Sequence, residues 1–144
     1  MITRELQDHL SILMIRASIR GKDGTLALAD AHGITLMQAL TLCLLKPNEP
    51  IQMNVLSGSL SCDPSSLTGI VERLVAEGLV HRKECPDDRR RKSITLTPKG
   101  QGLRSSLLKI ATEKRLPKLA ALSEQELATL IRLLEKATDL GPVS

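Results

Sequence analysis

Asp63-Pro64-Ser65-Ser66-Leu67-Thr68-Gly69-Ile70-Val71-Glu72-Arg73-Leu74-Val75-Ala76-Glu77-Gly78-Leu79 is the stretch that decides the fold. Aspartate before proline is an acidic N-cap followed by the one residue that loses nothing at the first helical position, where its N–H would go unpaired anyway. Leu67, Ile70, Val71, Leu74 and Val75 recur at helical spacing and predict a buried face. Gly78 supplies the left-handed residue that ends the helix near Glu77, and hydrophobic Leu79 follows it. Both ends of this helix are therefore marked.

Immediately upstream, Gln52 to about Leu60 reads as a short helix with Val55, Leu56 and Leu60 turned inward. Asn54, Ser57, Gly58 and Ser59 are poor helix formers, so packing must hold it. A three-residue turn, Ser61 to Asp63, joins it to the capped helix, which is helix-turn-helix grammar. Downstream the period changes from helix to strand. Leu79–Glu84 is a first strand, and Lys92-Ser93-Ile94-Thr95-Leu96 alternates polar and apolar as a second. Cys85 to Arg91 between them reads as an exposed turn carrying three consecutive arginines, and a hairpin in this position is a wing.

Further out, helices dominate. Ile2, Leu6, Leu10, Leu13 and Ala17 form one apolar stripe from Met1 to about Arg20, with Ile12, Ile15 and Ile19 beside it. A helix apolar on two sides needs two surfaces, more burial than one small domain offers, and so predicts a homodimer. Gly21-Lys22-Asp23-Gly24 is expected to break it, and an apolar stretch from Leu26 to Ala31 leads to His32-Gly33. Thr35 caps a helix from Leu36 to about Leu45 with Leu36, Leu40 and Leu44 on one face, stopped by the bracketing prolines Pro47 and Pro50. Thr97-Pro98 opens a long helix to about Leu122 that Pro117 should kink. Ser123 with Glu126 forms a capping box before a stripe of Leu127, Leu130, Ile131 and Leu134, and Gly141-Pro142 ends the order. The expected class is mainly α with a small β-hairpin (α+β), a winged helix-turn-helix over 34–100 within a single domain of 1–144, flanked by dimerisation helices at 1–20 and 101–140.

Composition removes several functions. The 144 residues include no Phe, Tyr or Trp, which excludes stacking platforms for single strands and aromatic cation cages. Twenty-seven leucines must build the core. No apolar run is long enough to span a membrane, and the charged first turns are not expected to form a secretory signal. Cys43, Cys62 and Cys85 are an odd, dispersed set that encodes neither a disulfide framework nor a zinc site, which fits a reducing cytoplasm. The net charge of +4 is local. Arg82, Lys83, Arg89, Arg90, Arg91, Lys92 and Lys99 face only Glu84, Asp87 and Asp88 between Leu79 and Gly102, so this window carries all of it. A basic block on a neutral body is the footprint of a phosphate-backbone binder.

Two blocks within Ile34–Gly102 carry a family resemblance: Leu74-Val75-Ala76-Glu77-Gly78-Leu79-Val80-His81-Arg82 and Asp88-Arg89-Arg90-Arg91-Lys92-Ser93-Ile94-Thr95-Leu96-Thr97-Pro98-Lys99-Gly100. Together they resemble the MarR family of winged-helix transcriptional regulators. The resemblance implies a cytoplasmic homodimer that represses or activates transcription by binding a pseudo-palindromic double-stranded operator, with a small-molecule or oxidant input in many members. It implies that Arg90 enters the minor groove, held by Asp88 two residues earlier; a narrow groove concentrates negative potential and attracts a guanidinium. Ser65, Ser66 and Thr68 fall where this motif meets base edges. Arg73 either touches a phosphate or pairs with Glu77 one turn on, and Arg89, Arg91 and Lys92 are phosphate contacts. Gly69 departs from the family, where a larger polar or basic residue is common, and Val55 takes a place usually acidic.

Other classes find less support. No nucleophile elbow, phosphate-cradling loop or HExxH helix is present, so catalysis is not expected. His9, His32 and His81 are scattered, and neither a metal nor a cofactor is expected. A redox sensor of this family type has its cysteine near the first helix among tyrosines, and this chain has neither. The competing reading is a winged-helix protein–protein interaction module without DNA binding, and the arginine-rich wing opposes it.

Overall fold

The structure is a computed structural model that describes residues 1–20 and 22–140. Helices α1 (Arg4–Ile19), α2 (Lys22–Ala31) and α3 (Leu36–Leu44) lead to a two-residue strand β1 (Ile51–Gln52), followed by α4 (Met53–Leu60) and α5 (Pro64–Ala76). The hairpin β2 (Val80–Cys85) and β3 (Asp88–Leu96) comes next, then α6 (Pro98–Arg115), a 3-10 turn at Leu119–Ala121, and α7 (Glu124–Thr138). The three strands are antiparallel in the order β1-β3-β2, with Ile51 opposite Ile94 and Val80 opposite Leu96.

The expected caps form. Thr35, Asp63, Thr97 and Ser123 each accept a backbone N–H at their helix starts, and Ser123 with Glu126 closes a capping box. Gly78 takes the left-handed conformation at φ +70°, and Leu79 N–H returns to the Leu74 carbonyl. The core lies under α3, α5, the sheet and the first half of α6, where Leu42, Leu56, Leu67, Leu74, Leu79 and Ile94 are fully buried.

Several expectations give way. The first helix does end at this stretch, at Ile19 with Arg20 in extended geometry, but Lys22-Asp23-Gly24 are not a loop: α2 starts at Lys22 and runs through Gly24 (Gly21 lies outside the described residues). A Cβ on Gly24 would sit 3.2 Å from the Ile110 side chain, so glycine here lets α2 lie close against α6, and packing overrides its low propensity. In α3 the buried residues are Gln38, Ala39, Thr41 and Leu42 rather than Leu36, Leu40 and Leu44, which are half-buried. Val55 and Val75 point outward, 51% and 41% exposed, because Leu56 and Leu74 take the core positions beside them. Pro117 terminates α6 instead of kinking it, since Leu116 already leaves helical geometry. Gly141-Pro142 lies outside the described residues.

Two elements stay uncovered. Neither α1 nor α7 buries any residue, and Ile2, Leu6, Ile12, Ile15, Ile19, Ile131 and Leu133 are all exposed.

Candidate nucleic-acid interface

Helix α4 closes on Ser61 in the left-handed conformation, at φ 50°. That turn aims the start of α5 outward and leaves Asp63 as its cap. Asp63 Oδ1 accepts from the Ser66 N–H at 3.0 Å and from the Ser65 hydroxyl, while Oδ2 accepts from the Ser66 hydroxyl at 2.8 Å. Those bonds, the Ser65 hydroxyl first, hold the Asp63 carboxyl well below the usual carboxylate range. Thr68 Oγ1 donates to the Pro64 carbonyl at 2.9 Å. Ser65 and Ser66 are exposed, and Thr68 is half-buried beside the stripe of Leu67, Val71 and Leu74. A Cβ on Gly69 would meet nothing within 4 Å, so the fold itself does not require glycine there.

The wing differs from the expected open turn. Only Pro86 and Asp87 form the turn, and Asp88 already begins β3. Glu84 pairs with Lys92 while the next residue, Cys85, pairs with Asp88, so Arg89, Arg90 and Arg91 form a bulge without cross-strand partners. A bulge bends the strand and re-aims its side chains, and all three arginines are exposed. Asp88 braces Arg90 through the backbone: its Oδ1 accepts the Arg90 N–H at 2.9 Å, and no ion pair joins the two side chains. Lys92 Nζ lies 2.6 Å from Glu84 Oε1.

Between α5 and the wing runs a groove of about 370 Å³. Met53 and Asn54 close one end, Pro64, Leu67 and Thr68 form the α5 wall, and Arg82, Arg90, Arg91 and Lys92 form the other. It presents four cations and no carboxylate. Arg82, Met53 and Asn54 were not singled out from sequence; Arg82 sits in the basic window, but its facing depends on the register that sets it opposite Ile94.

Two basic residues turn elsewhere. Arg73 donates through Nε and Nη2 to the Gly33 carbonyl at 3.1 and 3.0 Å and pairs with Glu77 at 2.8 Å. Its half-exposed guanidinium is held by these two partners, so of the two expected roles the pairing with Glu77 forms and the phosphate contact finds no support in this geometry. Lys99 donates to the Glu77 carbonyl at 2.8 Å, at the end of α5.

A second cavity, of about 410 Å³, lies at the elbow between α6 and α7. Leu116, Pro117, Leu119, Leu122 and Leu130 line it, with Arg20, Arg115 and Lys118 alongside. Burial pushes the half-buried Cys43 thiol up, against the opposing pull of Arg104 and Arg115, which disfavours the reactive thiolate. All three cysteines are free. Among the described residues no His, Cys, Asp and Glu side chains gather as metal ligands, and no single helix is long and apolar enough to cross a membrane.

The MarR family profile matches residues 34–92. The HTH-type transcriptional repressor NicR of Pseudomonas putida is 31% identical over 106 residues, covering 74% of this chain and 67% of that protein. Among solved structures, NadR in complex with 4-hydroxyphenylacetate aligns at TM-score 0.68 and 25% identity, over 95% of this chain and 92% of that one. A mutant of MarR from E. coli complexed with operator DNA aligns at TM-score 0.61 and 25% identity, over 93% and 94% of the two chains. With its capped α5, arginine-bearing wing and intervening cationic groove, the chain belongs to the MarR family of transcriptional regulators, DNA-binding proteins rather than enzymes.

Proposed function

We propose that this protein is a cytoplasmic, homodimeric repressor that binds a pseudo-palindromic duplex, with α5 in the major groove and the wing in the minor groove. The observation that carries this reading is the groove between α5 and β3, walled by Arg82, Arg90, Arg91 and Lys92 with no carboxylate in its lining, Lys92 alone being paired, with Glu84. A strand of sugar-phosphate backbone matches that charge, and phosphate neutralisation is the sequence-independent source of affinity. Arg90 is the minor-groove reader, Arg89, Arg91 and Lys92 are phosphate contacts, and Ser65, Ser66 and Thr68 face base edges. A protein–protein module would need an apolar surface where these cations stand. Residues 34–100 form the DNA-binding lobe, and 1–20 with 101–140 form the dimer, which would cover the apolar faces of α1 and α7. Half-sites should lie about one helical turn apart, on the order of 10 base pairs centre to centre. Selection of bound sequences from a random duplex pool tests this directly. Recovery of an inverted repeat with that spacing is expected; an asymmetric single site, or preference for single strands, would refute it.

The elbow cavity supports a small-molecule input. Apolar walls beside Arg20, Arg115 and Lys118 suit an amphipathic organic anion, the chemistry of the 4-hydroxyphenylacetate bound to NadR. Such an acid should raise the thermal midpoint and release the operator, and its neutral amide should do neither.

A further inference from the structure

Which bases a serine or threonine reads is ambiguous in general, because a hydroxyl is one donor and two acceptors. Here the ambiguity is resolved locally. The Ser65 and Ser66 protons both point at the Asp63 carboxylate, and the Thr68 proton points at the Pro64 carbonyl. What the three oxygens can still offer outward is lone pairs. From Pro64 through Glu72 the helix contains no Lys, Arg, His, Asn or Gln, so ahead of Arg73 no other side chain of α5 can donate to a base.

We propose that α5 reads the major groove with acceptors only, and that Asp63 is the residue that sets this polarity by engaging the hydroxyl protons of Ser65 and Ser66. The preferred partners are then the groove's amino groups, adenine N6 and cytosine N4, whereas N7 of either purine, guanine O6 and thymine O4 offer only acceptors. Donation to an ionised carboxylate is roughly twice as strong as donation to a neutral group, so a base carbonyl does not draw the hydroxyl protons away. The depressed Asp63 carboxyl keeps that acceptor charged across the working pH range. The polarity rests on the DNA-binding reading given above, and goes beyond it by naming the chemical groups selected.

The test uses the full-length protein and duplexes it recovers from a random pool, resynthesised with base analogues. Purine in place of adenine and 2-pyrimidinone in place of cytosine delete one amino group each; 7-deazaadenine and 7-deazaguanine delete only N7. Beneath α5, amino deletion should weaken wild-type binding about tenfold, the worth of one hydrogen bond, and 7-deaza substitution should leave it unchanged. A Ser65→Ala, Ser66→Ala double variant should become indifferent to every amino deletion except one lying beneath Thr68. Asp63→Asn keeps a good cap but turns an amide NH₂ toward one hydroxyl, freeing it to donate, and should acquire 7-deaza sensitivity. If a variant fails to fold, the wild-type comparison carries the test alone. Wild-type sensitivity to 7-deaza bases, or indifference to both analogue classes, would overturn the polarity while leaving DNA binding intact. Failure to retain any duplex would overturn both.

Discussion

The guanidinium of Arg73 grips the carbonyl of Gly33 with two N–H donors, at 3.1 and 3.0 Å, and so ties the last turn of α5 to the loop between α2 and α3. Gly33 stands at φ +67°, in the left-handed region that presents its carbonyl to α5, and Glu77 completes the clamp at 2.8 Å. The clamp joins the recognition helix to the elements that pack on α6.

The clamp makes Arg73 a stability residue. Arg73→Ala should lower unfolding free energy by about 1 kcal/mol, a charged hydrogen bond discounted for a half-exposed side chain. The salt dependence of DNA binding should keep its slope, whereas Arg91→Ala should reduce that slope by about 1. Salt titration of the two variants separates them, and a reduced slope in Arg73→Ala would return it to the phosphate contacts.

The brace at the wing tip acts on backbone, and this sharpens its test. Arg90→Ala should weaken specific binding by about 1–3 kcal/mol. Asp88→Ala, despite removing a negative charge, should also weaken specific binding while leaving nonspecific binding equal or tighter. Asp88→Asn retains an oxygen for the Arg90 N–H and should recover most of the loss. Improved specific affinity in Asp88→Ala would reduce the wing to a cationic surface.

Gly100 packs against the end of the turn before β2. A Cβ there would fall 1.9 Å from the Leu79 carbonyl oxygen and 2.9 Å from its carbon. Backbone cannot yield as a side-chain tip does, so Gly100→Ala should cost about 3 kcal/mol or more. Gly102→Ala, in the same helix with open space around its Cβ, should instead gain up to about 1 kcal/mol. Denaturant unfolding followed by far-ultraviolet circular dichroism, which needs no aromatic probe, gives both values.

The α5 cap should weaken in acid. Hydrogen bonds lower the folded carboxyl of Asp63, so its contribution is complete above the unfolded value, about pH 4, and disappears as pH falls through the lower folded value. The stability gap between wild type and Asp63→Ala should be full at neutral pH and close progressively on acidification. A gap independent of pH would mean the cap acts without its charge.

The uncovered faces of α1 and α7 predict the assembly. Light scattering should give a dimer at micromolar concentration, and Leu13→Asp together with Ile131→Asp should dissociate it. A monomeric wild type would contradict the dimer.

What the sequence by itself determined is everything that neighbours along the chain decide. Asp63-Pro64, Thr97-Pro98 and the Ser123–Glu126 box each satisfy their own helix's free N–H groups, and Gly78 turns because only its own φ is at issue. Hence the helix-turn-helix and its wing could be read without a structure, as could the hydroxyl face of α5. What only the tertiary structure decided is the set of contacts between residues far apart in sequence. Helix α2 survives Gly24 because Ile110 arrives from α6, and Arg73 turns inward because Gly33 waits across the fold. Val55 faces out because Leu56 wins the core, and Arg82 lines the groove because Ile94 sets its register. Local propensity is worth about 1 kcal/mol or less per residue, and burial of one large side chain roughly twice that. Wherever the two compete, the distant partner prevails, and periodicity alone does not name the partner.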